Sequence, residues 1–185
     1  MNAFIKPPKK IPLFLKLGII ISRRITGKDL LVPKLLAWYP KVAISSGILE
    51  SLVAHGKKDL NERILKLVRI QVSLSVSCAF CIDMNSFGYE RYGITKQELD
   101  VLSGRISIDK VATFSPKERI AIEYAKCLCE TPIKLKRGVI DNLTNTFTER
   151  EIVILASTIA QVNYWARLIH GLGVPPEGFS DKCEL

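Results

Sequence analysis

The two cysteines of the segment Ser77-Cys78-Ala79-Phe80-Cys81 form the sequence pattern that most clearly indicates a chemical function. Cysteines three apart on a helix have Cβ atoms about 5–6 Å apart, close enough for a disulfide after small adjustment. Ser77 is predicted as the N-cap, which would place Cys78 in the first turn, where amides and the helix dipole lower a thiol pKa below ~8.5. A thiolate beside a second thiol suits reversible redox chemistry, because the first attacks a peroxide or disulfide and the second resolves the product.

A lone CxxC motif also occurs as two structural thiols or as half of a zinc site. A second pair of zinc ligands is hard to find, because Cys127 and Cys129 would point to opposite faces of a helix. The histidines, His55 and His170, stand alone in the sequence. We therefore expect no metal and no cofactor, and we interpret Cys127 and Cys129 as buried thiols and Cys183 as a thiol in the tail.

The segments on both sides of this motif are predicted to be helices. Apolar residues recur at helical spacing after Asp59 and from about Glu149 to His170, and no stretch alternates with the period of a strand. The helix of the cysteines is predicted to run to Tyr92, and Gly93 and Gly171 are predicted to end helices. Capping-box spacing is found in four pairs: Asp59 with Glu62, Thr95 with Glu98, Ser115 with Glu118, and Thr148 with Glu151. We predict an all-α domain of antiparallel helix pairs with short connections.

The charge of the chain is concentrated at its N-terminus. The net charge is +9, and residues 1–40 hold eight basic side chains against one acid, so the remainder is close to neutral. This distribution argues against a nucleic-acid-binding face. We predict a basic N-terminal arm over residues 1–40, a helical domain over 41–178 and a C-terminal tail over 179–185.

The arm is interpreted as a segment that packs on a neighbouring subunit. The alternative is peripheral membrane contact, in which Phe14, Leu15, Ile19 and Ile20 insert into an anionic membrane surface. The apolar stretch from Ile11 to Ser22 is too short to span a bilayer and lacks the cleavage site of a signal peptide. Because the five cysteines do not form a dense framework, we expect a cytoplasmic protein with reduced thiols.

The segments around the CxxC motif resemble the carboxymuconolactone decarboxylase-like family, and more narrowly its alkylhydroperoxidase D-like (AhpD-like) branch. The similar segments are residues 61–75, 77–85, 92–95, 114–119, 147–152 and 163–175. The resemblance implies an all-helical fold that assembles into trimers or hexamers, with a redox-active cysteine pair at the start of a helix. It also implies that Cys81 reacts with peroxide and Cys78 resolves, whereas the helix-terminus argument favours Cys78, so the order of attack stays open.

The sequence departs from the family's proton relay at both of its positions. The relay glutamate, twelve residues before the first cysteine, is replaced by Lys66, and the histidine four residues after the second cysteine is replaced by Asn85. Neither Lys66 at its usual pKa nor Asn85 is a general base near pH 7. Lys66 is interpreted either as a cation that stabilises a thiolate or as a solvated lysine. Asp83 is interpreted as a surface carboxylate, with a proton acceptor as the alternative.

Three functions remain open at this point. The first is a thiol-dependent oxidoreductase, with Cys78 and Cys81 reducing a small-molecule peroxide or a protein disulfide as in alkylhydroperoxidases and peroxiredoxins. The second is a non-catalytic redox sensor or oligomeric binding scaffold of the same fold. The third, ranked last, is a lactone decarboxylase, whose chemistry does not need a CxxC motif. The last long helix adds residues that would line a pocket or pack in the core: Asn163, Tyr164, Trp165 and Arg167.

Overall fold

A computed structural model describes residues 3–52 and 59–180, and all secondary structure in these ranges is helical. The α-helices are α1 (Leu13–Thr26), α2 (Leu31–Leu36), α3 (Pro40–Leu52), α4 (Glu62–Ser75), α5 (Ala79–Ser86), α6 (Lys96–Leu102), α7 (Pro116–Cys129), α8 (Arg137–Thr146) and α9 (Glu149–Leu172). Two 3₁₀ helices span Tyr89–Tyr92 and Ile108–Lys110. The all-α prediction is confirmed for this part of the chain. His55 and Cys183 lie outside the described residues, as does the tail beyond residue 180.

Three of the four predicted capping boxes are present, with Thr95, Ser115 and Thr148 as the N-caps. The box predicted at Asp59 is wrong. Helix α4 begins at Glu62, and its N-cap is Asn61, whose side chain accepts a hydrogen bond of 2.8 Å from the Arg63 amide. A glutamate in the first helical position is too close to the cap to close the box.

Two predicted helix ends also differ from the structure. Helix α5 ends at Ser86 and not at Tyr92, because Gly88 adopts a left-handed conformation with φ of 64° that starts a separate 3₁₀ turn. Gly171 lies inside α9, and the residue that ends this helix is Gly173, again left-handed with φ of 64°. Glycine tolerates this conformation without the Cβ penalty of other residues.

Helix α4 is the centre of the fold and packs against α5, α7 and α9. Its residues Leu67, Val68, Ile70 and Val72 are all fully buried. Helix α9 is long and apolar enough to cross a membrane, judged by length and composition alone. However, 44% of its apolar 18-residue window is buried inside the protein. Because α9 packs on α4, α5 and α7, its apolar residues serve as core in this fold.

Arg63, in the first turn of α4, joins two of the capping boxes. Its Nη2 donates to Glu98 at 2.5 Å and its Nε to Glu118 at 2.7 Å. Burial alone would raise the pKa of the fully buried Glu98, but hydrogen bonds from Thr113 and Arg63 outweigh it, and the pKa is lowered. Glu98 and Glu118, which close the capping boxes of α6 and α7, are therefore also the ion-pair partners of Arg63 in α4.

The N-terminal segment packs on the body through α2 and through its first residues. Helix α2 buries Val32, Leu35 and Leu36, and the Phe4 amide donates to the Leu172 carbonyl at 3.0 Å. In α1, Leu15 is buried, so it is not available for the membrane insertion considered above. The exposed side of α1 is apolar and contains Leu13, Phe14, Leu17, Ile20, Ile21 and Ile25, each at least 49% exposed.

We predict that Arg63→Met destabilises the fold by roughly 2–4 kcal/mol, because two buried carboxylates lose their cation. Urea unfolding at pH 7 measures this change. The matched control is Arg105→Met, which removes an exposed pair with Asp100 at 3.4 Å and should cost less than about 1 kcal/mol. Equal effects of the two substitutions would contradict the role given to Arg63.

Candidate functional site

The first cysteine is itself the N-cap of the helix that contains the second. The Cys78 Sγ accepts a hydrogen bond of 3.3 Å from the Cys81 amide. The prediction of Ser77 as N-cap is wrong, because Ser77 has φ of 51° and forms the left-handed turn between α4 and α5. The N-cap is therefore Cys78, one residue later than predicted, and its sulfur atom replaces the side-chain oxygen that usually accepts at this position.

The environments of the two cysteines push their pKa values in opposite directions. The pKa of Cys78 is lowered to about 7, and the largest cause is a hydrogen bond from the Cys81 side chain. The amides of Cys81 and Phe80 and the charge of His170 also lower this pKa, whereas burial raises it. The pKa of Cys81 is raised by the same side-chain hydrogen bond and by burial. Both cysteines are free and buried. The contact between the two side chains thus favours ionisation of Cys78 and disfavours ionisation of Cys81.

His170 belongs to this site although the sequence analysis left it isolated. Its Nε2 lies 3.0 Å from the carbonyl oxygen of Ser77, and its charge lowers the pKa of Cys78. The histidine is in the last turn of α9, 93 positions from Ser77. No local spacing reveals such a contact, since only the packing of α9 on α5 brings the two residues together.

Lys66 is neither the solvated lysine nor the thiolate partner considered from the sequence. Its Nζ donates to the Phe87 carbonyl at 2.8 Å and lies 5.3 Å from the centre of the Tyr92 ring. Burial lowers the pKa of Lys66 to about 8, with a smaller contribution from Arg69. Lys66 therefore holds the segment after α5 against α4, and the charged group that contributes to the lowered Cys78 pKa is His170.

The other two candidates on α5 hold the helix in place. The Asn85 side chain donates to the Ser73 hydroxyl of α4 at 2.9 Å. The interpretation of Asp83 as a surface carboxylate is wrong, because this side chain is fully buried. Its two oxygens accept hydrogen bonds from the amides of Glu177 at 2.9 Å and Ser180 at 2.7 Å. Asp83 thus anchors the C-terminal segment on the helix of the thiols.

The thiols are covered by segments from both ends of the described chain. Lys28 donates to the Glu177 carbonyl at 2.6 Å, and the Leu31 amide donates to the Glu177 side chain at 2.9 Å. These bonds close a buried cluster, here called the thiol cluster, around Cys78 and Cys81. Its other members are Leu30, Val32, Leu35, Leu36, Phe80, Ala166, Ile169 and Val174. The cysteines are consequently only 1% and 3% exposed.

The polar residues of α9 considered as pocket lining make contacts with other helices. The Tyr164 hydroxyl lies 2.7 Å from the Ser46 hydroxyl, and the Trp165 indole donates to Glu50 at 2.8 Å, so both fasten α3. Asn163 donates to the Cys129 sulfur at 3.5 Å, and Arg167 is exposed. Cys127 and Cys129 are half-buried, and burial raises the pKa of both. Among residues 3–52 and 59–180, no group of three or more potential ligands is placed for a metal.

We predict a thiolate absorbance step at 240 nm with a midpoint near pH 7 that disappears in Cys78→Ser, because the Cys78 pKa is about 7. The thiolate is present above this pH and is lost as the pH falls through it. Cys81→Ala should raise the midpoint most, since it removes the largest cause of the lowered pKa, and His170→Ala should raise it less. Cys127→Ser is the matched control and should leave it unchanged. A first step near pH 9 in the wild type would contradict this assignment.

Comparison with known proteins supports the fold at low sequence identity. No protein-family profile matches the chain. The uncharacterized protein YnjA of Escherichia coli (strain K12) is 27% identical over 176 residues, which is 93% of each chain. The debrominase Bmp8 in complex with 2,3,4-tribromopyrrole superposes with a TM-score of 0.81 at 15% identity, covering 100% of this chain and 97% of Bmp8.

A second solved structure links the fold to the branch named from the sequence. It is an uncharacterized peroxidase-related protein from Ralstonia eutropha JMP134, described as an alkylhydroperoxidase AhpD core. Its TM-score is 0.78 at 15% identity, covering 99% of this chain and 95% of that protein. The family resemblance named from the sequence is thereby confirmed for the fold, and the chain has the AhpD-like fold.

Proposed function

We propose that the protein is a thiol-dependent oxidoreductase that reduces a peroxide or a protein disulfide with Cys78 and Cys81. The observation that carries the proposal is the hydrogen-bonded pair at the start of α5, in which Cys78 has a pKa of about 7 and Cys81 supplies the proton donor. A pKa near ambient pH combines a large thiolate fraction with good nucleophilicity. Neighbours described as alkylhydroperoxidase or peroxidase-related proteins support the reaction class.

The reaction with an organic peroxide balances with the two cysteines alone. The Cys78 thiolate attacks the terminal peroxide oxygen, so that an S–O bond forms and the O–O bond breaks. The alkoxide leaves and takes up from solvent the proton that Cys78 released on ionising, which gives the alcohol. The Cys81 sulfur then attacks the Cys78 sulfenic acid; the S–S bond forms, and hydroxide leaves with the Cys81 proton as water. Two thiols and one peroxide give one disulfide, one alcohol and one water. A dithiol donor must reduce the disulfide before the next turnover.

Cys78 is the acidic thiol, and its position as the N-cap of α5 contributes to its lowered pKa. This differs from the order that the family resemblance implies, in which Cys81 reacts first. Because Cys81 donates to Cys78 and has a raised pKa, it is the poorer nucleophile in the reduced protein. His170 adds a smaller effect, because its charge also lowers the pKa of Cys78.

We also propose that the chain forms a homo-oligomer and works in the cytoplasm, where dithiol donors recycle the pair. The support for assembly is the exposed apolar side of α1, on which Leu13 is 83% and Ile25 is 80% exposed. Exposed apolar surface of this kind is typical of an interface. A trimer or a hexamer is the assembly that the family resemblance implies.

We predict that the protein consumes cumene hydroperoxide catalytically when a small dithiol is supplied, and that Cys78→Ser and Cys81→Ser each lower the rate by about 100-fold or more. Cys127→Ser, with its half-buried thiol outside the pair, is the control and should retain full activity. The same assay with an oxidised protein substrate distinguishes peroxide from disulfide as the oxidant. A single round of Cys78–Cys81 oxidation without turnover of either substrate would favour a redox sensor and contradict the enzymatic proposal.

A further inference from the structure

The peptide bond between Ser77 and Cys78 belongs to the caps of two helices at once. The Ser77 amide donates to the Leu74 carbonyl at 3.0 Å, and the Cys78 amide donates to the Ser73 carbonyl at 3.2 Å. These two bonds, with Ser77 left-handed at φ of 51°, form the left-handed motif that ends α4. Cys78 is also the N-cap of α5. The orientation of this peptide therefore determines where α5 begins and where the Cys78 sulfur lies.

Ser77 occupies the position of this motif that is usually a glycine. A side chain with a Cβ atom has a steric cost in the left-handed region, because the Cβ atom comes close to the following carbonyl oxygen. Residues in such conformations persist only where the surrounding structure holds them, and they are concentrated at functional sites. The turn before Cys78 therefore depends on contacts from the rest of the fold.

His170 supplies one such contact from α9. Its Nε2 lies 3.0 Å from the Ser77 carbonyl oxygen. Because the C=O and N–H groups of a trans peptide point in opposite directions, the peptide is hydrogen-bonded on one side to His170 and on the other to Ser73. A carbonyl oxygen only accepts, so Nε2 carries a hydrogen in the neutral and in the charged ring alike. The bond to Ser77 is therefore independent of the charge of His170.

We propose that His170 is a positioning residue for the thiol pair, which acts on Cys78 through its N–H bond to the Ser77 carbonyl. With this peptide held on both sides, the Cys78 sulfur stays in its cap position, 3.3 Å from the Cys81 amide. Without His170 the carbonyl is free to turn toward solvent, and the sulfur moves away from the amides that favour its ionisation. The value of this contact for turnover rests on the function proposed above, whereas its effect on the ionisation of Cys78 does not.

The experiment compares His170→Gln with His170→Ala in the reduced protein. Glutamine is uncharged, and its Nε2 is as many bonds from Cβ as that of histidine, so His170→Gln keeps the donor and removes the charge. Alanine removes both. Arg167→Gln is the matched control, because it removes a positive charge from an exposed position of α9 and is not among the causes of the lowered Cys78 pKa. The readouts are the pH midpoint of the thiolate absorbance at 240 nm and the hydrogen-exchange rate of the Cys81 amide.

We expect His170→Ala to raise the midpoint by about half a pH unit and to speed exchange of the Cys81 amide several-fold. His170→Gln and Arg167→Gln should both stay close to the wild type. If His170→Ala leaves both readouts unchanged, or if His170→Gln changes them as much as His170→Ala does, the inference is wrong. The expected shifts in a protein that turns over neither peroxide nor disulfide would reject only the proposed function. Turnover together with unchanged readouts in His170→Ala would reject only the role of His170.

Discussion

The hydrogen bond from the Cys81 amide to the Cys78 sulfur sets the arrangement on which the site depends. Because Cys78 is the N-cap of α5, its sulfur faces the free amides of the first turn, where negative charge is favoured. The same position brings the side chain of Cys81 within reach as a second donor. The side-chain hydrogen bond between the cysteines therefore lowers the pKa of Cys78 and raises the pKa of Cys81, and the amide bond begins the helix and adds to the lowered pKa of Cys78.

The rest of the fold holds this interaction in a covered position. Helix α4 fixes the chain before the turn at Ser77, and Arg63 ties α4 to the capping boxes of α6 and α7. On the other side, Asp83 binds the C-terminal segment, which Lys28 connects to the N-terminal segment. The cover limits access to the sulfurs, and a cleft lined by Ser77 and Ala79 lies next to Cys78 in the chain.

The sequence was sufficient to predict the helical class, three capping boxes and the cysteine pair, because each of these depends on residues a few positions apart. It was not sufficient to place His170, which reaches Ser77 only through the packing of α9. The burial of Asp83 was missed for the same reason, since its partners Glu177 and Ser180 lie far along the chain. The N-cap at Cys78 was missed by one residue because Ser77 adopts a left-handed conformation that serine rarely takes.

A redox titration of the purified protein against dithiol buffers, read by alkylation and mass spectrometry, measures whether Cys78 and Cys81 act as a redox pair. A hydrogen-bonded thiolate and thiol at the start of α5 should form a reversible Cys78–Cys81 disulfide at potentials of about −200 to −300 mV, the range of cellular dithiols. Cys78→Ser and Cys81→Ser should each abolish that transition. If both thiols stay reduced across this range and are alkylated only after unfolding, the redox role of the pair is contradicted.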